Sequence, residues 1–210
     1  ITIHDPLRLN KSNQFKDIDA YTCSGTPVDC VKLAIYEILK RRPDLLVSGI
    51  NHGSNAATNV LYSGTMSAAV EGAIENIPSI GFSSLYSDAD ADFDAAIHFA
   101  KKIIATVLKN GLQKNTCLNV NIPKGKIEDI KGIKIGRQGN AFWEDSFDKR
   151  KDTFGKDYFW LTGEFNIRDK GEDTDMWALE HNYISVVPTQ FDMTAHHLIG
   201  DLNEWDFDQK

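Results

Sequence analysis

Residues 51–65 (NHGSNAATNVLYSGT) gather side chains suited to chemistry on a phosphoryl group. The stretch holds three Asn, two Gly, two Ser, two Thr and one His, with no acid, Lys or Arg. Asn51 presents a neutral amide oxygen of the kind that ligates a hard divalent cation. Four residues on, Asn55 carries amide hydrogens that can donate to a phosphoryl oxygen or to charge developing on a leaving group. Ser63-Gly64-Thr65 opens a run that reads as a helix, and a helix N-terminus offers unpaired N–H groups and a partial positive charge that suit an anion, phosphate above all. Gly64 lets backbone approach closely, while Ser63 and Thr65 add hydroxyls. A metal ion would supply the positive charge the stretch lacks, leaving the protein to provide oxygen ligands and oriented donors.

Other readings stand beside this one. Gly, Asn, Ser and Thr also compose ordinary turn-rich loops. Ser63 could act as a nucleophile with His52, His196 or His197 as base, but the G-x-S-x-G elbow is absent because Leu61 holds the place of its first glycine. Asp192-Met193-Thr194 resembles part of an aspartyl-phosphatase nucleophile motif without its companions.

The flanking elements place this stretch. Thr26-Pro27-Val28-Asp29 marks a helix start, with Thr as cap, Pro at the first helical position and Asp three residues after the cap. Val28, Val31, Ile35, Ile38 and Leu39 follow at helical spacing until Pro43. Leu45 to Ile50 suits a strand covered on both faces. Ser63 to Asn76 predicts a helix rich in small residues, packed tightly on a sheet, and Ile80-Gly81-Phe82-Ser83 a second buried strand. Strand, loop, helix and strand make a βαβ unit with parallel pairing. Residues 51–65 then lie at the carboxyl edge of the sheet, where ligands of open α/β folds bind.

Further along, an amphipathic helix is expected from about Phe93 to Lys109, and strands over Leu118–Ile122 and Tyr183–Pro188. Residues 137–165 alternate aromatics with charges around Gly155, which predicts a long hairpin whose aromatic face a partner subunit covers. No Gly/Ser linker divides the chain, so residues 1–210 read as one α/β domain with a protruding arm.

Composition narrows the function classes. The 210 residues are 41% hydrophobic and 25% charged, a globular balance. A formal net charge of −7 argues against a nucleic-acid duplex as partner. The cluster Lys149-Arg150-Lys151 is bracketed by Asp148 and Asp152. Apolar runs fall far short of the ~20 residues that span a bilayer, and no signal-peptide pattern opens the chain, so no membrane and a cytoplasmic location are expected. Three cysteines without a CxxC pair read as reduced thiols. The sequence begins with Ile1 rather than Met, and Ile1-Thr2-Ile3 alternates like a strand.

Several of these segments together resemble a known family. Gly25-Thr26-Pro27-Val28-Asp29-Cys30, Pro43 through Gly53 (PDLLVSGINHG) and Tyr62-Ser63-Gly64-Thr65 with Glu71-Gly72 are similar to the SurE family, or survival protein E, whose members are metal-dependent 5′/3′-nucleotidases. Ile77 through Ser83, Leu118 through Pro123, Thr174-Asp175, and Tyr183 through His196 continue the match in order along nearly the whole chain. The resemblance implies a Rossmann-like three-layer α/β fold and a homodimer or homotetramer built by exchanged arms and C-terminal segments. It implies hydrolysis of nucleoside 5′-monophosphates to nucleoside and phosphate with Mg²⁺ or Mn²⁺, some members also taking 3′-monophosphates and short polyphosphate. Asn51 then matches a metal ligand, Asn55 a second active-site asparagine, and Ser63, Gly64 and Thr65 the phosphate-binding turn. Ser63 and Asn55 are the expected catalytic pair, and residues 137–165 match a dimerisation arm.

One part of the family pattern is missing from the sequence. The family opens with a strand ending in Asn-Asp-Asp-Gly, whose two aspartates hold the metal, and a later Ser-Gly segment adds a serine ligand. Ile1-Thr2-Ile3 resembles the strand just after that serine, so the remaining ligands are expected upstream of Ile1. The alternative is a non-catalytic dimer that binds phosphate or nucleotide without them. The attacking group, a metal-bound water or hydroxide or an upstream aspartate, is left open.

Overall fold

The structure, a computed structural model, describes residues 1–88 and 91–207. In chain order its first half comprises β1 (Leu9–Ser12), β2 (Ala20–Cys23), α1 (Pro27–Leu33), β3 (Leu46–His52), α2 (Gly64–Ile74), β4 (Ser79–Ser84) and α3 (Asp94–Asn110). The second half comprises β5 (Thr116–Ile122), β6 (Gly132–Ile135), β7 (Ala141–Lys151), β8 (Asp157–Ile167), α4 (Asp175–Glu180), β9 (Tyr183–Gln190) and α5 (Ile199–Asn203). Five strands form the central sheet in the order β3-β4-β5-β9-β6. β3, β4 and β5 run parallel, β9 runs antiparallel to β5, and β6 runs parallel to β9.

Alternation along the strands separates three layers. Ile80 and Phe82 of β4, Val120 and Ile122 of β5, and Ile184 and Val186 of β9 pack with Phe99, Ile103 and other residues of α3. The intervening positions turn to the other face. There Met66, Ala69 and Ala73 of α2 pack with Cys117, and α1 packs on α2, with Val31 and, from the π-helical segment that follows (Ala34–Leu39), Ile35 against Ala68. Small residues set the spacing on that side. A Cβ on Gly81 would stand 2.4 Å from Met66 Sδ, and one on Gly72 would stand 2.1 Å from Ser79 Oγ. The fold is a mixed-sheet, three-layer α/β architecture. No helix among the described residues is long and apolar enough to cross a membrane.

Two expectations are corrected. β3 is covered on both faces only in part: Leu46 packs against the cluster of Val31, Ile35 and Ala68 and Ile50 against the cluster that includes α3, but Val47 is 45% exposed. α3 roofs β4, β5 and β9, so the outer face of β3 has less above it. Ile1–Ile3 is irregular rather than a strand. The Thr2 N–H and hydroxyl donate to the Asp29 carboxylate, which also accepts the Thr26 N–H in the capping box of α1. The Thr2 hydroxyl, followed by the N–H groups of Thr26 and Thr2, holds Asp29 well below the usual carboxylate range.

β7 and β8 form an antiparallel hairpin from Ala141↔Ile167 to Lys151↔Asp157, turning at Gly155 (φ 77°). Its root touches the rest of the molecule through the chain before α2: the Thr58 hydroxyl donates to Ala141 O at 2.7 Å. Beyond the root, both faces of the hairpin carry exposed aromatic side chains.

Candidate active site

The polar stretch leaves the end of β3 and crosses the carboxyl edge of the sheet. Gly53 (φ 91°) turns the chain, its N–H donating to Ser84 O and Tyr86 O at 2.8 and 2.9 Å. Residues 57–62 form a 3-10 turn, and Ser63 then caps α2, its Oγ accepting the Met66 N–H at 3.0 Å. Strand, crossing loop and helix therefore bring Asn51, Asn55 and Ser63-Gly64-Thr65 to one edge, as their spacing predicts.

The polar strand positions beneath explain how the loop holds its shape. Ser83, Asn119 and Asn121 alternate with the apolar residues that face α3, so they point to the α2 side where the loop passes. The Asn55 N–H donates to Asn121 Oδ1 at 2.7 Å, and Asn119 Nδ2 donates to Asn55 O at 2.8 Å. Asn121 Nδ2 in turn donates to Asn119 Oδ1 at 2.9 Å, and the Ser54 hydroxyl donates to Asn121 Oδ1. Ser185 stands opposite Asn121 across β5 and β9; its hydroxyl is buried and has no partner among the described residues.

Asn55 is 5% exposed, with Nδ2 donating to Ser83 Oγ at 2.6 Å. Its backbone is thereby a structural brace, and its side chain lies against the tip of β4 instead of standing free in the loop. A serine hydroxyl both donates and accepts, so this contact survives turning the amide over, which frees Nδ2 to donate elsewhere.

Asp175, the first residue of α4, ties three segments together. Its Oδ2 accepts the Ala57 N–H at 2.8 Å, and its Oδ1 accepts the N–H groups of Gly139 and Met176, each at 2.8 Å. Ala57 is fully buried at φ 51°, a left-handed conformation uncommon outside glycine, and the carboxylate fixes it there. Loop, hairpin entry and α4 thus share one buried anchor. Sequence reasoning gave Asp175 no role beyond its place in the Thr174-Asp175 segment of the family resemblance.

At the start of α2 the N–H groups of Gly64 and Thr65 have no acceptor within the helix. Gly64 is exposed and abuts Pro27 of α1, where an added Cβ would stand 3.1 Å from Pro27 Cγ. Ser63 is 8% exposed; as acceptor from Met66 it still has its own hydroxyl hydrogen to donate. Among the described residues no hydrogen bond joins the Ser63 hydroxyl to His52, His196 or His197. His196 Nε2 lies 2.8 Å from Asp192 Oδ2, and His52 packs edge-on against Phe93 with ring centroids 4.9 Å apart. Asp192 is held well below the usual carboxylate range, first by Thr194 and then by His196. Burial pushes the Cys117 thiol up to about 11, an inert position beneath α2.

Asn51 Nδ2 donates to His52 O at 3.0 Å and Gly53 O at 2.9 Å, which leaves Oδ1 to face a ligand. Among the described residues, no group of three or more His, Cys, Asp or Glu is placed to hold a metal ion. A hard divalent cation takes about six oxygens. One amide oxygen fits such an ion as a single ligand, and the described residues do not fit it as a complete site.

Two cavities flank Trp143 at the root of the hairpin. One, of about 600 Å³, is bounded by Gly53, Ser54 and Asn59 of the loop and by Trp143, Phe165 and α4. The other, of about 790 Å³, lies against Leu61, Tyr62, Phe142 and Leu161.

Comparison with known proteins matches residues 1–145 to the family described as survival protein SurE. A relative in Flavobacterium psychrophilum, "5'-nucleotidase SurE", is 62% identical over 210 residues, which is all of this chain and 82% of the relative. One of the same description in Flavobacterium johnsoniae is 61% identical over 206 residues, 98% of this chain and 80% of the relative. A crystal structure of the SurE protein from Aquifex aeolicus superposes with a TM-score of 0.80 at 38% identity, covering 97% of this chain and 81% of that one. The fold, the loop and these likenesses agree, and the chain belongs to the SurE family.

Proposed function

We infer that this chain is a 5′-nucleotidase, a phosphatase that hydrolyses nucleoside 5′-monophosphates to nucleoside and phosphate. The observation that carries the reading is the open α2 N-terminus at the same sheet edge as Asn51 and Asn55, in a chain 62% identical over its whole length to a 5′-nucleotidase SurE. The N–H groups of Gly64 and Thr65 and the hydroxyls of Ser63 and Thr65 hold the phosphate oxygens. The Asn55 amide donates to charge developing on the phosphoryl group. In the overall reaction, water adds to phosphorus, the P–O5′ bond breaks, and the nucleoside leaves with a proton on O5′.

The reading carries further proposals. A divalent cation, Mg²⁺ or Mn²⁺, takes one oxygen from Asn51 and its other ligands from upstream of Ile1. The substrate range extends to 3′-monophosphates and short polyphosphate. Residues 1–210 act as one domain, in the cytoplasm, and residues 137–165 join copies of the chain into a homodimer or homotetramer.

The Asn55 role is tested by steady-state kinetics on AMP. Asn55→Ala is expected to lower kcat by roughly 10²–10³ and to raise KM much less. A change confined to KM contradicts the assignment. Nucleotide binding without any turnover by the natural protein would favour the alternative, a phosphate-binding dimer that does no chemistry.

A further inference from the structure

We propose that the smaller cavity beside Trp143 is the nucleobase subsite, with the Trp143 ring as its stacking platform. This rests on the nucleotidase reading and extends it from the phosphate to the rest of the substrate.

The cavity has the shape and chemistry that a base requires. Its volume of about 600 Å³ lies within the roughly 300–1,000 Å³ usual for small-molecule sites. Trp143 and Phe165 face each other across the hairpin, and their rings stand 5.4 Å apart, tilted by 59°. Trp143 remains 51% exposed even so, leaving ring surface available to a flat ligand. Leu85 and, from α4, Met176 and Leu179 add apolar wall, and Ser54, Asn59 and Glu180 add polar groups. A base has the matching pattern of apolar faces and hydrogen-bonding edge.

Position joins the cavity to the phosphate end. Gly53 and Ser54, which line it, sit between Asn51 and Asn55 in the chain, and the Asn51 amide donates to Gly53 O. The same buried carboxylate fixes all three walls. Asp175 holds Ala57 of the loop and Gly139 before the hairpin, and it opens the helix that carries Met176 and Leu179. The larger cavity at Trp143 meets Tyr62, next to Ser63, but is lined by no residue before Thr58, so it lacks the continuity with Asn51 and Asn55 that Gly53 and Ser54 give the smaller one.

The test compares AMP with ribose 5-phosphate, which keeps the 5′-phosphoryl group and the sugar but has no base, using the natural protein. Trp143→Ala is expected to reduce kcat/KM for AMP roughly 10- to 100-fold, mostly through KM, because base–aromatic stacking has that size. Turnover of ribose 5-phosphate is expected to stay unchanged. Trp143→Phe, which keeps a ring, is expected to restore most of the AMP activity. Leu161→Ala, in the larger cavity, is expected to leave the AMP preference intact.

An equal loss on both substrates would mean that Trp143 acts through folding alone and would overturn the proposal. So would a native enzyme that shows no preference for AMP over ribose 5-phosphate, although the phosphatase reading would survive. A native protein that hydrolyses neither substrate would overturn the nucleotidase reading and the subsite with it.

Discussion

Asp175 ties the loop, the hairpin entry and α4 together through one carboxylate. Three N–H groups share its two oxygens, one of them from Ala57 in a left-handed conformation. An amide can offer only one of its two heavy atoms as acceptor, so Asp175→Asn strands at least one buried donor. The expected cost is about 1–3 kcal/mol in urea unfolding, with a raised KM for AMP as the walls around Trp143 loosen. Wild-type stability in Asp175→Asn would contradict the bracing role.

A second residue-scale prediction concerns pH. Arg137 beside Asp169, helped by the Gly171 N–H, lowers the Asp169 carboxyl to about 2. In the unfolded chain the same group titrates near 3.8. The unfolded state therefore binds more protons between those values, and the stabilisation present above pH ~4 is lost as pH falls through about 2. Stability measured across that interval is expected to fall less steeply in Asp169→Asn than in the parent. Identical slopes would show that the Arg137 contact adds nothing.

At this scale the sequence was partly legible. Asn51, Ser63, Gly64 and Thr65 occupy the strand end and helix start that their spacing implied. The bracing of the loop was not legible, because Asn119, Asn121 and Asp175 lie 64, 66 and 118 residues from their loop partners. The alternation Leu118-Asn119-Val120-Asn121-Ile122 did indicate one polar strand face, without indicating what would cover it.

Among the elements, the β3–α2–β4 crossover positions the site, and Gly49 is where its chain comes closest to a neighbouring strand's backbone. Gly49 has φ 109°, and a Cβ there would stand 2.3 Å from Phe82 O, a backbone atom that cannot swing aside. The pairing of β3 with β4 shifts register between Ser48 and Asn51, so this is where the strand is redirected before Asn51. Gly49→Ala is expected to destabilise the fold by about 3 kcal/mol or more and to move Asn51. Thermal melting checks this, and an unchanged Tm would contradict the close approach.

Periodicity and punctuation predicted α1, α2, α3 and β5, and an apolar run bounded by Pro78 predicted β4, which is buried at every position. β1, β2 and β6 were missed: LNKS, AYTC and GIKI are short, and tertiary pairing rather than local pattern makes them strands. The outer face of β3 was misjudged because an apolar run does not reveal where a strand stands in the sheet order.

For the whole molecule, the hairpin is the open feature. Phe147, Phe159, Trp160 and Leu161 are more than half exposed along a two-stranded ribbon, an arrangement that is marginal alone in water. Association of chains through this arm predicts a dimer or tetramer by light scattering. The double substitution Phe147→Asp and Trp160→Lys is expected to yield a folded monomer, whereas a parent protein that is already monomeric would contradict the assembly.

The most direct measurement is phosphate release from AMP by the natural protein, first with Mn²⁺ or Mg²⁺ and then with excess EDTA, alongside Asn51→Ala. The account predicts release with metal, none with EDTA, and a metal requirement shifted to higher concentration in Asn51→Ala. Release that persists unchanged in EDTA, or an Asn51→Ala enzyme with the parent's metal dependence, would contradict a metal-dependent nucleotidase built on residues 51–65.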